Sequence, residues 1–165
     1  MANITLGGNA ITTNGTVPAT GTSAPSFTLK SVELKDISLN DFKGRKLILN
    51  IFPSVDTGVC AASVRHFNEK AAQLENTTVL CISRDLPFAQ ARFCGAEGIE
   101  NVVMLSDFQT GKFGKDYGLE IESGAFANLH SRVIIVVDEE GNITYTEQVP
   151  EIGQDPDFEA ALATV

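Results

Sequence analysis

The sequence predicts an α/β fold: a mainly parallel central sheet with flanking helices and an extra N-terminal β-hairpin. Three observations predict it. Continuous apolar runs, typical of strands covered on both faces, alternate with stretches of helical period. A Gly-Gly pair separates two short strand-like stretches near the N-terminus. A closing order of strand, turn, strand and helix adds an antiparallel edge. At 165 residues the chain reads as one domain, 1–165, large enough to bury a core without staples.

Each element has its own signal. Residues 3–13, NITLGGNAITT, read as two strands around Gly7-Gly8-Asn9. Residues 15–26, rich in Gly, Pro, Thr and Ser, read as an extended surface connection. KLILNIF at 46–52 is nearly all apolar, as a central strand requires. Over 61–74 the period changes: Val64, Phe67, Ala71 and Leu74 share one helical stripe. TTVLCIS at 77–83 is a second buried strand. LPFAQARFC at 86–94 predicts a short helix with Pro87 in its first turn and Gly95 placed to end it. NVVMLS at 101–106 and RVIIVVD at 132–138 are the third and fourth strands, and EEGN turns the chain into ITYTEQV at 143–149. DPDFEAALATV predicts a last helix, capped by Asp155 with Pro156 at its first position. The layout is that of a thioredoxin-like α/β sandwich.

Composition narrows the function. Hydrophobic residues make up 43% and charged residues 20%, as in an ordinary globule. A net charge of −9 disfavours nucleic acid and anionic membrane, both of which need a basic face. No apolar run approaches the roughly 18 residues of a membrane span, and the N-terminus lacks a signal peptide's charged and apolar regions. The chain as given therefore reads as cytoplasmic. Three cysteines, Cys60, Cys81 and Cys94, are not a secreted disulfide scaffold. No C-x2-4-C pair and no paired histidines suggest a metal site, and no cofactor is expected.

The chemistry gathers at one cysteine. In open α/β sheets, sites form just beyond the carboxyl ends of the strands. Cys60 falls there, after the strand ending near Pro53 and in the first turn of the next helix. Free N–H groups and the helix dipole favour an anion at that place, and a thiolate is one. Thr57 offers a hydroxyl that can donate to a thiolate or accept from a hydroperoxide. Pro53 fixes the backbone where strand turns to loop and can shield the sulfur. Gly58 lets the backbone turn closely. Cys81, inside the apolar VLCIS, reads as a core residue instead.

The spacing Pro53-x-x-x-Thr57-x-x-Cys60 resembles the active-site signature of the peroxiredoxins. NIFPSVDTGVCAASVRHFN at 50–68 resembles their bacterial atypical two-cysteine branch, the thiol peroxidases. GTSAPSFTL at 21–29 and SRVIIVVDEEGNI at 131–143 are similar to that family's opening segment and late hairpin, so the resemblance spans essentially the whole chain. It implies a thiol-dependent peroxidase acting on hydrogen peroxide and organic hydroperoxides. Cys60 is then the peroxidatic cysteine, passing through a sulfenic acid, and Cys94 the resolving cysteine that forms a Cys60–Cys94 disulfide. Thr57, Arg132 and Pro53 complete the catalytic set. Thioredoxin is the implied reductant and a homodimer the implied assembly. Because a disulfide needs Cα atoms within about 7 Å, residues 86–98 are expected to rearrange if the reduced fold holds the thiols farther apart, with Gly95 and Gly98 permitting it.

Two other functions compete. A thioredoxin-like disulfide oxidoreductase carries C-x-x-C at this helix start, whereas here the string is Cys60-Ala61-Ala62-Ser63. A redox sensor would use Cys60 oxidation as a switch. On sequence alone, Thr57 is equally a helix N-cap, and Arg65 equally a source of positive potential near Cys60 or a solvated helix residue; the competing reading of Arg132, a partner of a surface carboxylate, is the weaker one for it. His66 and His130 are read as non-catalytic. Phe27, Phe42, Phe88, Phe93 and Phe126 are read as core more readily than as an apolar mouth for alkyl hydroperoxides.

Overall fold

A computed structural model describes residues 1–165. A two-stranded antiparallel hairpin, β1 (Asn3–Leu6) and β2 (Asn9–Thr12), opens the chain. Its turn is Gly7-Gly8, both at positive φ (58° and 82°), the pairing that favoured hairpin turns demand. The other strands form one seven-stranded sheet in the order β4-β3-β7-β6-β5-β8-β9. These are β3 (Thr28–Ser31), β4 (Asp36–Ser38), β5 (Lys46–Ile51), β6 (Thr77–Ser83), β7 (Val103–Ser106), β8 (Val133–Val137) and β9 (Ile143–Gln148).

Only the β5–β6 and β6–β7 junctions are parallel; the rest are antiparallel. The sheet is thus mixed rather than mainly parallel. The difference comes from the antiparallel β5–β8 junction and from β3 and β4, residues to which the sequence reading assigned no element. Strands of four and three residues with half-buried or exposed ends are too short to show a period. A five-residue helix, α3 (Lys112–Asp116), escaped for the same reason.

Alternation along the strands divides the core between the two faces. Leu47, Leu49, Ile51, Ile135 and Val137 pack on one face with Phe27, Phe113 and Tyr117. Ile48, Val79, Cys81 and Val136 face the helices on the other, meeting Val64 and Phe67 of α1 (Gly58–Ala71), Phe93 of α2 (Pro87–Glu97) and Ala161 of α4 (Phe158–Leu162). A third, small cluster of Ile4, Ile11, Ile121 and Ile152 seats the hairpin.

Helix ends required two corrections. Gly95 does not end α2; it lies within the helix, which stops three residues later at Gly98, left-handed at φ 67°. The last helix is capped by Asp157, whose carboxylate accepts from the Ala160 amide at 3.0 Å, not by Asp155. No helix is long and apolar enough to cross a membrane.

Candidate active site

Cys60 is the third residue of α1 and is wholly buried. Parallel strands β5 and β6 place the start of α1 and the start of α2 at one end of the sheet. The loop 52–57 leading from β5 to Cys60 is tightly tied. The Asp85 carboxylate accepts from the Ser54 hydroxyl (2.7 Å), the Val55 amide (2.9 Å) and the Ser83 hydroxyl (2.6 Å). The Asp85 carbonyl also accepts from Ser106 Oγ. Pro53 is buried within this loop.

Behind Cys60 a second polar chain holds the helix. Asn50, buried in β5, donates to Ser63 Oγ (3.2 Å) and to Cys81 Sγ (3.6 Å), and Ser63 donates to the Cys60 carbonyl oxygen (2.7 Å). A polar side chain in an otherwise apolar strand is the signal that could have found Asn50. Asp85, next to the end of a strand and one residue before Leu86-Pro87, carried a weaker one. The sequence reading singled out neither.

Thr57 occupies the N-cap position of α1, but its side chain makes no capping bond. Its hydroxyl donates to the Ser54 carbonyl oxygen at 3.1 Å, which leaves its oxygen lone pairs as acceptors. No hydrogen bond links it to the Cys60 sulfur.

Arg132 immediately precedes β8. The Ile51–Val133 pairing sets it beside the end of β5, where the Cys60 loop begins. It is only 2% exposed and makes no ion pair with any carboxylate. Nε donates to the Ile152 carbonyl oxygen at 2.8 Å, while Nη1 is buried without a partner. A guanidinium stays charged, and burying one of its donors unmatched is costly. Pairing with a surface carboxylate is therefore not its role.

Cys94 sits on α2, half-buried against the same apolar cluster as Cys60, and burial pushes its thiol up. All three cysteines are free, so this is the reduced arrangement. Two ion pairs hold α2 over the Cys60 region: Arg92–Asp56 at 2.9 Å and Arg65–Glu97 at 3.1 Å. Arg65 is thus a bridge between helices rather than a free solvated residue. Cys81 is core, as expected, and burial pushes its thiol up to about 12 against a smaller lowering by the Asn50 hydrogen bond.

The other residues of interest lie apart from this chemistry. His130 is buried against Asp107 at 2.9 Å, and His66 stacks on Phe158 with ring centroids 4.3 Å apart. Phe27 and Phe93 are buried, and Phe42 and Phe126 are partly so. Phe88 is not core: α2 turns Pro87, Gln90 and Phe93 inward, which leaves Phe88 66% exposed. Two surface hollows also lie elsewhere, one lined by Phe27, Lys30 and Lys112, the other by Ala24, Phe42 and Gly141.

The model of the redoxin family matches residues 19–162. A thiol peroxidase of Mycobacterium tuberculosis is 57% identical over 165 residues, covering 100% of this chain and 99% of that protein. A thiol peroxidase of Corynebacterium glutamicum is 55% identical over the same shares. Among solved structures, a peroxiredoxin-like protein from Aquifex aeolicus superimposes with a TM-score of 0.92 at 33% identity, covering 99% of this chain and 96% of that one. A thiol peroxidase from Chromobacterium violaceum, 23% identical, shares the fold at a TM-score of 0.91, over 99% of this chain and 95% of that one.

Proposed function

Because the chain belongs to the redoxin family and is a thiol-dependent peroxidase, we propose that Cys60 is its peroxidatic cysteine and Cys94 its resolving one. The Cys60 thiolate attacks one oxygen of a hydroperoxide and the O–O bond breaks. The departing alkoxide or hydroxide takes a proton, and Cys60 becomes a sulfenic acid. The Cys94 thiol then attacks that sulfur, water leaves, and a Cys60–Cys94 disulfide forms. A thioredoxin-type dithiol supplies the two electrons that reopen it, thioredoxin itself on this reading.

The observation that carries the assignment is Arg132. It is a buried cation with an unpartnered N–H, held at the strand end where the Cys60 loop starts. A thiolate, and the charge that develops on the peroxide oxygens, satisfy such a donor. Thr57, its proton committed to Ser54, accepts a hydrogen bond from the hydroperoxide O–H. Pro53 walls the sulfur from water. Ser63 stands where a disulfide oxidoreductase has its second cysteine, and its hydroxyl is spent on the Cys60 carbonyl oxygen. The chain functions as a single domain, as a cytoplasmic homodimer.

The test is peroxide consumption coupled to thioredoxin, its reductase and NADPH. Cys60→Ser is expected to be inactive. Cys94→Ser is expected to lose coupled turnover while still consuming about one equivalent of peroxide. Full turnover by Cys60→Ser overturns the assignment. Sedimentation of the reduced protein checks the dimer.

A further inference from the structure

The N-terminal hairpin lies outside the seven-stranded sheet, yet it is wired to Arg132. Strand β1 runs parallel to the segment after β9 through a bridge between Thr5 and Glu151. The Thr5 amide donates to the Pro150 carbonyl oxygen at 2.8 Å, and the Ile152 amide donates to the Thr5 carbonyl oxygen at 2.9 Å. The Ile152 side chain is buried in the hairpin's own cluster with Ile4 and Ile11. Its carbonyl oxygen is the acceptor for Arg132 Nε.

Glu151 locks this junction. Its carboxylate accepts from the Gly8 amide at 2.8 Å, the Gly153 amide at 2.9 Å, the Thr5 hydroxyl at 3.1 Å and the Gly7 amide at 3.3 Å. The Gly7-Gly8 turn, with both residues left-handed, points successive amides at one anion, a small nest. The Gly153 and Gly8 amides accordingly hold the Glu151 carboxyl below its ordinary range.

We propose that Glu151, by clasping the hairpin turn, is a positioning residue for Arg132: it fixes the Ile152 carbonyl oxygen that orients the guanidinium toward the reacting oxygens. The inference rests on the assignment of Arg132 to the active site. Fixing one N–H of a planar fork fixes the direction of the others, because guanidinium geometry is rigid. Without the clasp, the segment 150–153 keeps its two backbone bonds to Thr5 but loses the four carboxylate bonds that tie it to Thr5 and the Gly7-Gly8 turn and brace Gly153. A misplacement on the order of 1 Å at a charge-stabilising donor costs up to about a hundredfold in rate.

The experiment measures kcat/KM for hydrogen peroxide, which reports only the steps through Cys60 oxidation, in a double-mutant cycle. Glu151→Ala is expected to lower it about tenfold, and Glu151→Gln, which keeps an acceptor oxygen, by less. In an Arg132→Met background, with similar volume and no charge, Glu151→Ala is expected to change nothing further. Glu151 is on the surface and Arg132 is not, so thermal melting of each variant establishes that it is folded. The Arg132 Nε–H resonance, expected to exchange slowly in the wild type because it is buried and bonded, is expected to broaden in Glu151→Ala, and this readout holds even if Arg132→Met does not fold. An equal loss in both backgrounds, or an unchanged resonance and rate in Glu151→Ala, overturns the proposal while leaving the Arg132 assignment intact. Full activity of a folded Arg132→Met overturns both.

Discussion

At the scale of single residues, the sulfurs differ by surroundings alone. Cys81 has no exposed surface and its thiol is pushed up to about 12. In the unfolded chain it returns toward its ordinary value of 9.0. Between those limits the folded state holds a proton that the unfolded state has released. This contribution is therefore fully present below about pH 9 and lost as pH rises toward 12, at about 1.4 kcal/mol per pH unit. Urea titrations at pH 8 and pH 10 should show the fall, and Cys81→Ala should make it shallower, the raised Cys94 thiol keeping part of it. Asp85 is the residue whose loss the fold should feel most near the site. Asp85→Ala leaves the Val55 amide and two hydroxyls without their charged acceptor. We expect a loss of about 2–3 kcal/mol in urea titration, slower oxidation of Cys60, and a smaller loss on both counts for Asp85→Asn.

At the scale of elements, the proposed Cys60–Cys94 bond makes its demand on α2. Cys94 lies in its interior, followed by Gly95, where an added methyl group would meet nothing within 4 Å. Glycine in a helix interior is about 1 kcal/mol less favourable than alanine, so Gly95→Ala stiffens α2 at no steric cost. If the Cys60–Cys94 bond requires local unwinding, disulfide formation after a peroxide pulse should slow about fivefold, the factor equivalent to 1 kcal/mol. An unchanged rate would mean that α2 moves as a rigid body. Amide exchange over residues 86–98 should also quicken on oxidation. The sequence made α2 legible through Pro87 and the apolar spacing, but misread its end. Gly95 and Gly98 are equally able to stop a helix by composition, and only the left-handed backbone at Gly98 decides between them. The strands β5, β6 and β8 were legible because each is a long apolar run covered on both faces. Strands β3 and β4 were not, because their place depends on β7, far along the chain. The motif around Cys60 was legible because it is local. Asp85 and Glu151 were not, because a carboxylate's meaning here lies in amides that the sequence does not place beside it.

At the scale of the whole molecule, stability is unevenly spread. The sheet has a large apolar cluster on each face, whereas the hairpin rests on four isoleucines and the Glu151 clasp. Units with few buried contacts open first. Native-state amide exchange should therefore show Asn3–Thr12 opening at a lower free energy than β5 or β8. Equal protection would mean that the hairpin and the sheet unfold as one unit. The bridge from Thr5 to Glu151 joins nearly the full length of the chain. During synthesis the hairpin leaves the ribosome well before its docking segment does. At about 5–20 residues per second, the gap between the two is seconds to tens of seconds. Late in that interval the nascent chain can hold most of its sheet and a folded Cys60 loop while Arg132 still lacks its Ile152 anchor. On the proposed wiring, peroxide reactivity waits for the segment after β9 to dock on the hairpin, when most of the sheet is already in place.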